Sequence, residues 1–287
     1  MPAMSPEQPV IGFLTDFGLD GAAATCRAVI LGICRGAQIV DICHTVRKYA
    51  IADGAYILRT ALPYFPIGVH LAVVDPGVGT ARRPIAIRTG RGDVLVGPDN
   101  GLLPVPADAL GGVSAARALE NRDYWLGSPT SSTFHGRDIF APVTGNLAAA
   151  RARFEDLGPS VPVDELVRLP APAATARPGK LETVVTYVDS FGNLRLAGGE
   201  LEAATLLGGD GSQAQLAVEF TGGEGNRAAQ AAARFGATFG SVPRGESLLF
   251  VDSSGDLAFA DNQGNAAQRL GVATGDRVRI TTAVPRG

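Results

Sequence analysis

Apolar residues in the first half of the chain fall into short runs separated by longer amphipathic stretches. Val10 to Leu14, Gln38 to Ile42, Val69 to Val74, Ile85 to Arg88 and Val94 to Val96 are runs of strand length. Ala22 to Cys34, Ile51 to Ala61 and Phe140 to Ala150 carry the wider spacing of helices, the second stopped by Pro63 and Pro66. Strand length with turn-forming flanks separates the first kind from the second. Their alternation predicts an α/β fold: a mostly parallel sheet with helices on both faces, three layers in all.

The pattern changes after about residue 150. Pro159, Pro162, Pro170, Pro172 and Pro178 interrupt a stretch of little periodicity, which reads as a linker or crossing segment. From Leu181 the apolar runs are short and divided by Gly clusters: Thr183 to Val188, Leu194 to Leu196, Gln215 to Phe220, Ser247 to Val251, Leu257 to Phe259 and Arg277 to Thr281. Such spacing predicts a smaller antiparallel β domain, barrel-like or a sandwich. The expected division is an α/β domain over 1–165, a Pro-rich linker over 166–180 and a β domain over 181–287.

Composition narrows the function. Hydrophobic residues at 46% and charged ones at 18% are globular values. A net charge of −3 with no basic block argues against a nucleic-acid partner. No apolar run reaches the length of a membrane span, and the first ten residues lack a signal-peptide pattern, so a cytoplasmic protein without a membrane partner is expected. The three cysteines, Cys26, Cys34 and Cys43, lack CxxC spacing, which speaks against a disulfide framework or zinc. Cys43 and His44 are neighbours on a strand and point to opposite faces, so no metal site is expected.

The candidate chemistry starts at Asp75-Pro76-Gly77-Val78-Gly79-Thr80-Ala81-Arg82-Arg83. A strand ends there at a carboxylate, with a guanidinium beyond a Gly turn, and strand carboxyl ends are where α/β proteins meet ligands. By itself the segment also suits a structural Asp that starts a turn. Three other segments join it: Thr15-Asp16-Phe17-Gly18, Thr133-Phe134-His135-Gly136-Arg137-Asp138 and Asp189-Ser190-Phe191-Gly192-Asn193. Of the three histidines, His70 lies inside an apolar strand and reads as structural, and His44 reads as a turn histidine. His135 lies in a polar loop before a helix, where a rigid scaffold can present it.

These four motifs, in this order, resemble the S-adenosylmethionine (SAM) hydroxide adenosyltransferases, adenosine-forming SAM hydrolases related to the enzymes that fluorinate or chlorinate SAM. The resemblance runs from Ile11 to about Ile280. It implies a catalytic trio of Asp75, Arg82 and His135, with Arg83 facing solvent. Asp16 would hold the ribose hydroxyls, and Tyr49 would pack near the ligand. Asp189, Phe191 and Asn193 would meet the amino-acid part, and Ser253 and the backbone around Asn262 would complete the methionine and adenine contacts. It further implies SAM as substrate with no other cofactor, and a homotrimer with active sites between subunits.

The implied reaction suits the trio. Attack of water at the ribose C5′ expels methionine as a neutral thioether, so the leaving group needs neither acid nor metal. The nucleophile needs help, since the pKa of water, about 15.7, makes hydroxide scarce at neutral pH. Two alternatives are a halogenase of the same superfamily and a non-catalytic SAM- or adenosine-binding protein. His135-Gly136 stands where fluorinating relatives have Tyr-Ser, and Asp75 would repel a halide. A mere binder would not require Asp75, Arg82 and His135 together.

Overall fold

The computed structural model describes residues 8–127, 131–208, 214–222 and 228–282. The chain divides into two compact units, Met1–Leu169 and Pro170–Gly287. Leu166–Leu169 were expected in the linker but belong to the first unit. The reason is Arg83, whose Nη2 donates to the Glu165 carbonyl at 2.8 Å, and Asp99, whose Oδ1 accepts from the Val167 amide at 3.0 Å. Among the described residues no helix is long and apolar enough to cross a membrane.

The first unit is built on strands β1 (Val10–Thr15), β2 (Gln38–Cys43), β3 (Val69–Val73), β4 (Pro84–Thr89), β5 (Val94–Pro98) and β6 (Val113–Ala118). Their order is β2-β1-β3-β5-β4-β6. The first four in that order run parallel, and β4 is antiparallel to both β5 and β6. The helices are α1 (Ala22–Ile33), α2 (Ile51–Ala61), α3 (Pro104–Ala109) and α4 (Ala141–Ala148).

Strand alternation sorts the core into two faces. Ile11, Phe13, Leu71, Val73 and Ala86 pack with Cys26 and Ile30 of α1 and Val143 of α4. Leu14, Ala72, Ile85 and Ile87 pack on the other side with Leu58 of α2 and Ala107 of α3. This is the three-layer arrangement that the sequence predicts. Cys26 is fully buried there, and that burial pushes its thiol up to about 12, so it behaves as a small hydrophobe.

The second unit holds β7 (Thr175–Arg177), β8 (Lys180–Val188), β9 (Leu194–Leu196), β10 (Gln215–Thr221), β11 (Ala228–Phe235), β12 (Ser247–Val251), β13 (Leu257–Asp261) and β14 (Arg277–Thr282), with helices α5 (Glu200–Leu207) and α6 (Ala266–Leu270). The sheet order β14-β10-β11-β12-β13-β9-β8 closes through a β14–β8 pairing into a seven-stranded barrel, and β7 flanks β8. Closure removes the exposed edges that a small sheet would otherwise present. Two details lie beyond the sequence reading. The segment read as linker supplies β7 and the start of β8, and β11 pairs with β12 in parallel within the otherwise antiparallel barrel.

Candidate active site

Asp16 and Asp75 stand just beyond the carboxyl ends of the adjacent parallel strands β1 and β3, where the Asp16 amide donates to the Val73 carbonyl at 3.4 Å. On the other side of β3, the Asn100 side chain donates to the Val74 carbonyl at 2.9 Å. The backbone leading into Asp75 is therefore gripped from both flanks. Sequence reading marks Asn100 only as a polar loop residue, because its partner is a main-chain carbonyl, which no motif spells.

The glycines of this segment have a spatial cause. Gly79 has φ +77°, and a Cβ there would lie 2.3 Å from the Ser132 carbonyl oxygen. Only glycine tolerates both the left-handed backbone and that approach. The approach brings the two loops together. Gly136 is likewise packed against Phe17 and Phe134, whose rings meet edge to face at 5.7 Å. A single π-helical turn, Gly136–Phe140, follows His135, a feature that often marks functional positions.

Asp75, Arg82 and His135 meet as a result. Arg82 Nε donates to Asp75 Oδ1 at 3.1 Å, and Nη2 closes a bidentate pair with Oδ2. The same Nη2 reaches His135 Nδ1 at 3.2 Å. Both members of the ion pair are nearly buried, with side-chain exposures of 7% and 5%. Arg82 also lies over the Phe140 ring, 5.3 Å from its centroid. Its Nη1 is buried without a hydrogen-bond partner among the described residues. An unmet cationic donor of this kind is costly unless something completes it.

The imidazole state follows from the same contacts. Burial, and then the Arg82 charge, push the His135 pKa below its ordinary value of 6.5. A guanidinium only donates, so Nδ1 is an acceptor and the neutral ring carries its proton on Nε2. The cluster therefore combines one carboxylate with two donors that its own contacts leave unused, Arg82 Nη1 and His135 Nε2–H.

Arg83 keeps 38% of its side chain exposed and is also paired: its Nε donates to Asp99 at 2.9 Å, and Nη1 reaches Glu165 at 3.3 Å. Arg137 and Asp138 pair with each other at 2.6 Å, and Asp138 also accepts from the Ser131 amide at 2.8 Å. They shape the loop that carries His135.

Asp16 is 8% exposed, and its Oδ2 accepts from the Tyr49 amide at 2.9 Å. A carboxylate with one oxygen so used still has acceptor capacity for a hydroxyl pair. Tyr49 is 70% exposed and has φ +67°, rare for a bulky residue. Backbone strain of that kind clusters at ligand sites.

The remaining predicted residues lie in the second unit. Asp189 ties its own turn together: Oδ1 accepts from the Phe191 and Asn193 amides at 2.9 Å each, and Oδ2 from Asn193 Nδ2 at 2.9 Å. Asp189, Phe191, Asn193 and Ser253 line one concavity of about 560 Å³ in that unit. Asn262 is not among its lining residues; its side-chain Nδ2 donates to the Val242 carbonyl at 2.8 Å. Sequence reasoning missed Arg195, which also lines the concavity and pairs with Asp252 at 2.9 Å. A lone Arg between Leu194 and Leu196 in a short apolar strand is the signal that marks it. Among the described residues no group of three or more His, Cys, Asp or Glu is placed to hold a metal.

A neutral imidazole, a guanidinium and a carboxylate at the carboxyl ends of parallel strands define an α/β enzyme that acts on a small ligand. Comparison with known proteins agrees. Residues 11–158 match the SAM hydroxide adenosyltransferase N-terminal domain, and 183–279 match the corresponding C-terminal domain. The chain belongs to the SAM hydroxide adenosyltransferase family. It is 48% identical over 274 residues to the (R)-S-adenosyl-L-methionine hydrolase of Salinispora tropica, covering 95% of this chain and 98% of the relative. A more distant relative, the fluorinase of Actinopolyspora mzabensis, is 27% identical over 306 residues, covering 96% and 98% respectively. The crystal structure of an uncharacterized conserved protein from Thermotoga maritima superposes with a TM-score of 0.81 at 35% identity, covering 94% of this chain and 99% of that one.

Proposed function

We propose that the protein hydrolyses SAM to adenosine and L-methionine. A water oxygen attacks the ribose C5′, the C5′–S bond breaks with its electron pair going to sulfur, and methionine leaves as a neutral thioether. The water's proton passes to a carboxylate and then to solvent. The observation that carries this reading is the closed Asp75–Arg82–His135 cluster with its unmet Arg82 donor.

In this reading Asp75 takes the proton, while Arg82 Nη1 and His135 Nε2–H hold the oxygen as its negative charge grows. Donors already fixed in a nearly dry site stabilise that charge better than water does, because they need not reorganise. The sulfonium supplies the leaving-group activation, so SAM is the only small molecule required. Asp16 takes the ribose hydroxyls, with Tyr49 beside the ligand. Asp189, Phe191, Asn193 and Ser253 meet the amino-acid part of SAM, with the backbone around Asn262. A homotrimer working in the cytoplasm belongs to the same proposal.

The test is incubation of the protein with SAM, followed by chromatography. Adenosine and methionine in equal amounts, unaffected by chloride, support the reading. A chlorinated nucleoside formed in chloride would support a halogenase instead, and no turnover would leave a binding protein.

A further inference from the structure

Thr15, the last residue of β1, lies at the end of a chain of side-chain contacts outside the catalytic trio. The Phe17 amide donates to Thr15 Oγ1 at 3.2 Å. Thr15 Oγ1 meets His44 Nδ1 at 2.9 Å, and His44 Nε2 meets Asp41 Oδ1 at 3.0 Å. Arg27 closes the chain with a 2.5 Å contact to Asp41 Oδ2. In the neutral tautomer every group has a role: the threonine hydroxyl donates to Nδ1 and Nε2–H donates to the carboxylate. Burial opposes the charge on Asp41, but its hydrogen bonds to His44 and Arg27 hold the carboxyl below its usual range.

The order hydroxyl, imidazole, carboxylate is that of a nucleophilic triad, but Thr15 is fully buried and its oxygen already accepts an amide. No external substrate reaches it. What the chain does touch is the turn holding Asp16. His44 also accepts from the Gly18 amide at 2.7 Å through its own carbonyl, and Gly18 has φ +82°. The Phe13 ring meets the imidazole edge-on at 4.6 Å, which fixes its plane. Farther along the same loop, Lys48 Nζ donates to the Asp16 carbonyl at 2.7 Å, and the Tyr49 amide donates to the Asp16 carboxylate.

We propose that Asp41, His44 and Thr15 are positioning residues that set the Asp16–Gly18 turn, and so aim the Asp16 carboxylate at the ribose hydroxyls of the substrate. This rests on the reading of Asp16 given above. Side-chain contacts that lock a binding group keep its geometry within the narrow range that recognition requires. The relay thus governs preference for a ribose diol, not the rate of the chemical step.

The test is calorimetric binding of adenosine and 2′-deoxyadenosine to the full chain, with kcat and KM for SAM and a thermal melt on each variant. The parent is expected to prefer adenosine by roughly 10- to 100-fold, the worth of a hydroxyl bonded to a charged group. His44→Ala should reduce that preference to within about threefold and raise KM, with kcat changed less than about threefold. Asp41 is exposed on the edge strand, so Asp41→Ala keeps the fold and should shift the preference in the same direction. His44→Asn, which keeps a polar atom toward Thr15, should recover part of it. Folded His44→Ala and Asp41→Ala proteins with the parent's preference would overturn the relay. A parent without any preference would instead overturn Asp16 as the ribose holder, and the relay's purpose with it; adenosine production would still stand on its own.

Discussion

Strand β3 has an Asp–Arg–His trio at each end, and the two differ in what they leave unmet. At its start, His70 and Asp93 are 1% and 0% exposed in their side chains. Arg91 reaches Asp93 through Nε and Nη2 at 2.7 and 2.9 Å, and the Leu62 and Pro63 carbonyls through Nη2 and Nη1. His70 accepts from the Gly12 amide at 3.1 Å and meets Asp93 at 3.1 Å. Each nitrogen of that guanidinium has a partner. At the other end Arg82 Nη1 has none among the described residues, and His135 keeps one ring nitrogen outside the cluster's contacts. The same three residue types thus make a strut at one end and, in the proposed reading, a catalytic site at the other. What separates them is spare donor capacity at the carboxyl end of a parallel strand.

Substitution at the open end should damage catalysis most. His135→Ala is expected to lower kcat by about 10²–10⁴-fold, with a modest change in KM, since in the proposed reading it removes a donor to the nucleophile and not to SAM. Initial rates of adenosine release check this. Substitution at the closed end should do the opposite. Asp93→Ala leaves His70 and Arg91 unpaired and should cost about 3–5 kcal/mol of stability, measured by urea unfolding. Its kcat per folded molecule should stay near the parent's. Loss of activity in folded Asp93→Ala would end the distinction.

Asp16 provides a third case, in the proposed reading a carboxylate that binds and does not react. Asp16→Ala should weaken SAM or adenosine binding by roughly 1–3 kcal/mol, read by calorimetry, with the chemical step largely kept.

Acid should separate the ends more gently. His135 titrates below 6.5 because burial and Arg82 disfavour its charged form. A proton added at Nδ1 would face the Arg82 donor and break that contact. Activity should therefore hold at neutral pH and fall once acidity passes the lowered value. The stability linked to His135 is complete above 6.5 and is lost as pH falls from there through the folded value. At the other end burial opposes charge on Asp93, but hydrogen bonds from His70 and Arg91 hold its carboxyl far below the ordinary 3.8. The stability linked to Asp93 is complete above 3.8 and is lost progressively as pH falls from there through the much lower folded value. A pH–rate profile set against melts at the same pH values would show the two windows.

Much of this contrast was legible in the chain. The run Val69 to Val74 ending at Asp75, and His135 in a polar loop, pointed to the open end, and His70 inside an apolar run pointed to a structural role. The contacts of Arg83 were not legible, because its partners Asp99 and Glu165 are distant in sequence. Strand β11 was missed because Ala228–Phe235 is mostly alanine, without the β-branched alternation that marks strands. Its pairing with β10 fixes it. Helix α3, only six residues long, begins at Pro104 and holds Pro106, so it offers no helical spacing to read, although proline suits a first turn. The relay through His44 lay hidden for a related reason: Thr15, Asp41 and His44 meet only once β1 and β2 pair.

The most direct measurement is single-turnover conversion of SAM by folded Asp75→Asn, which keeps a hydrogen-bonding group beside Arg82 but cannot take the proton. SAM should bind with affinity within a few-fold of the parent's, while adenosine formation slows by about 100-fold or more. A folded Asp75→Asn protein that forms adenosine at the parent rate would contradict the account.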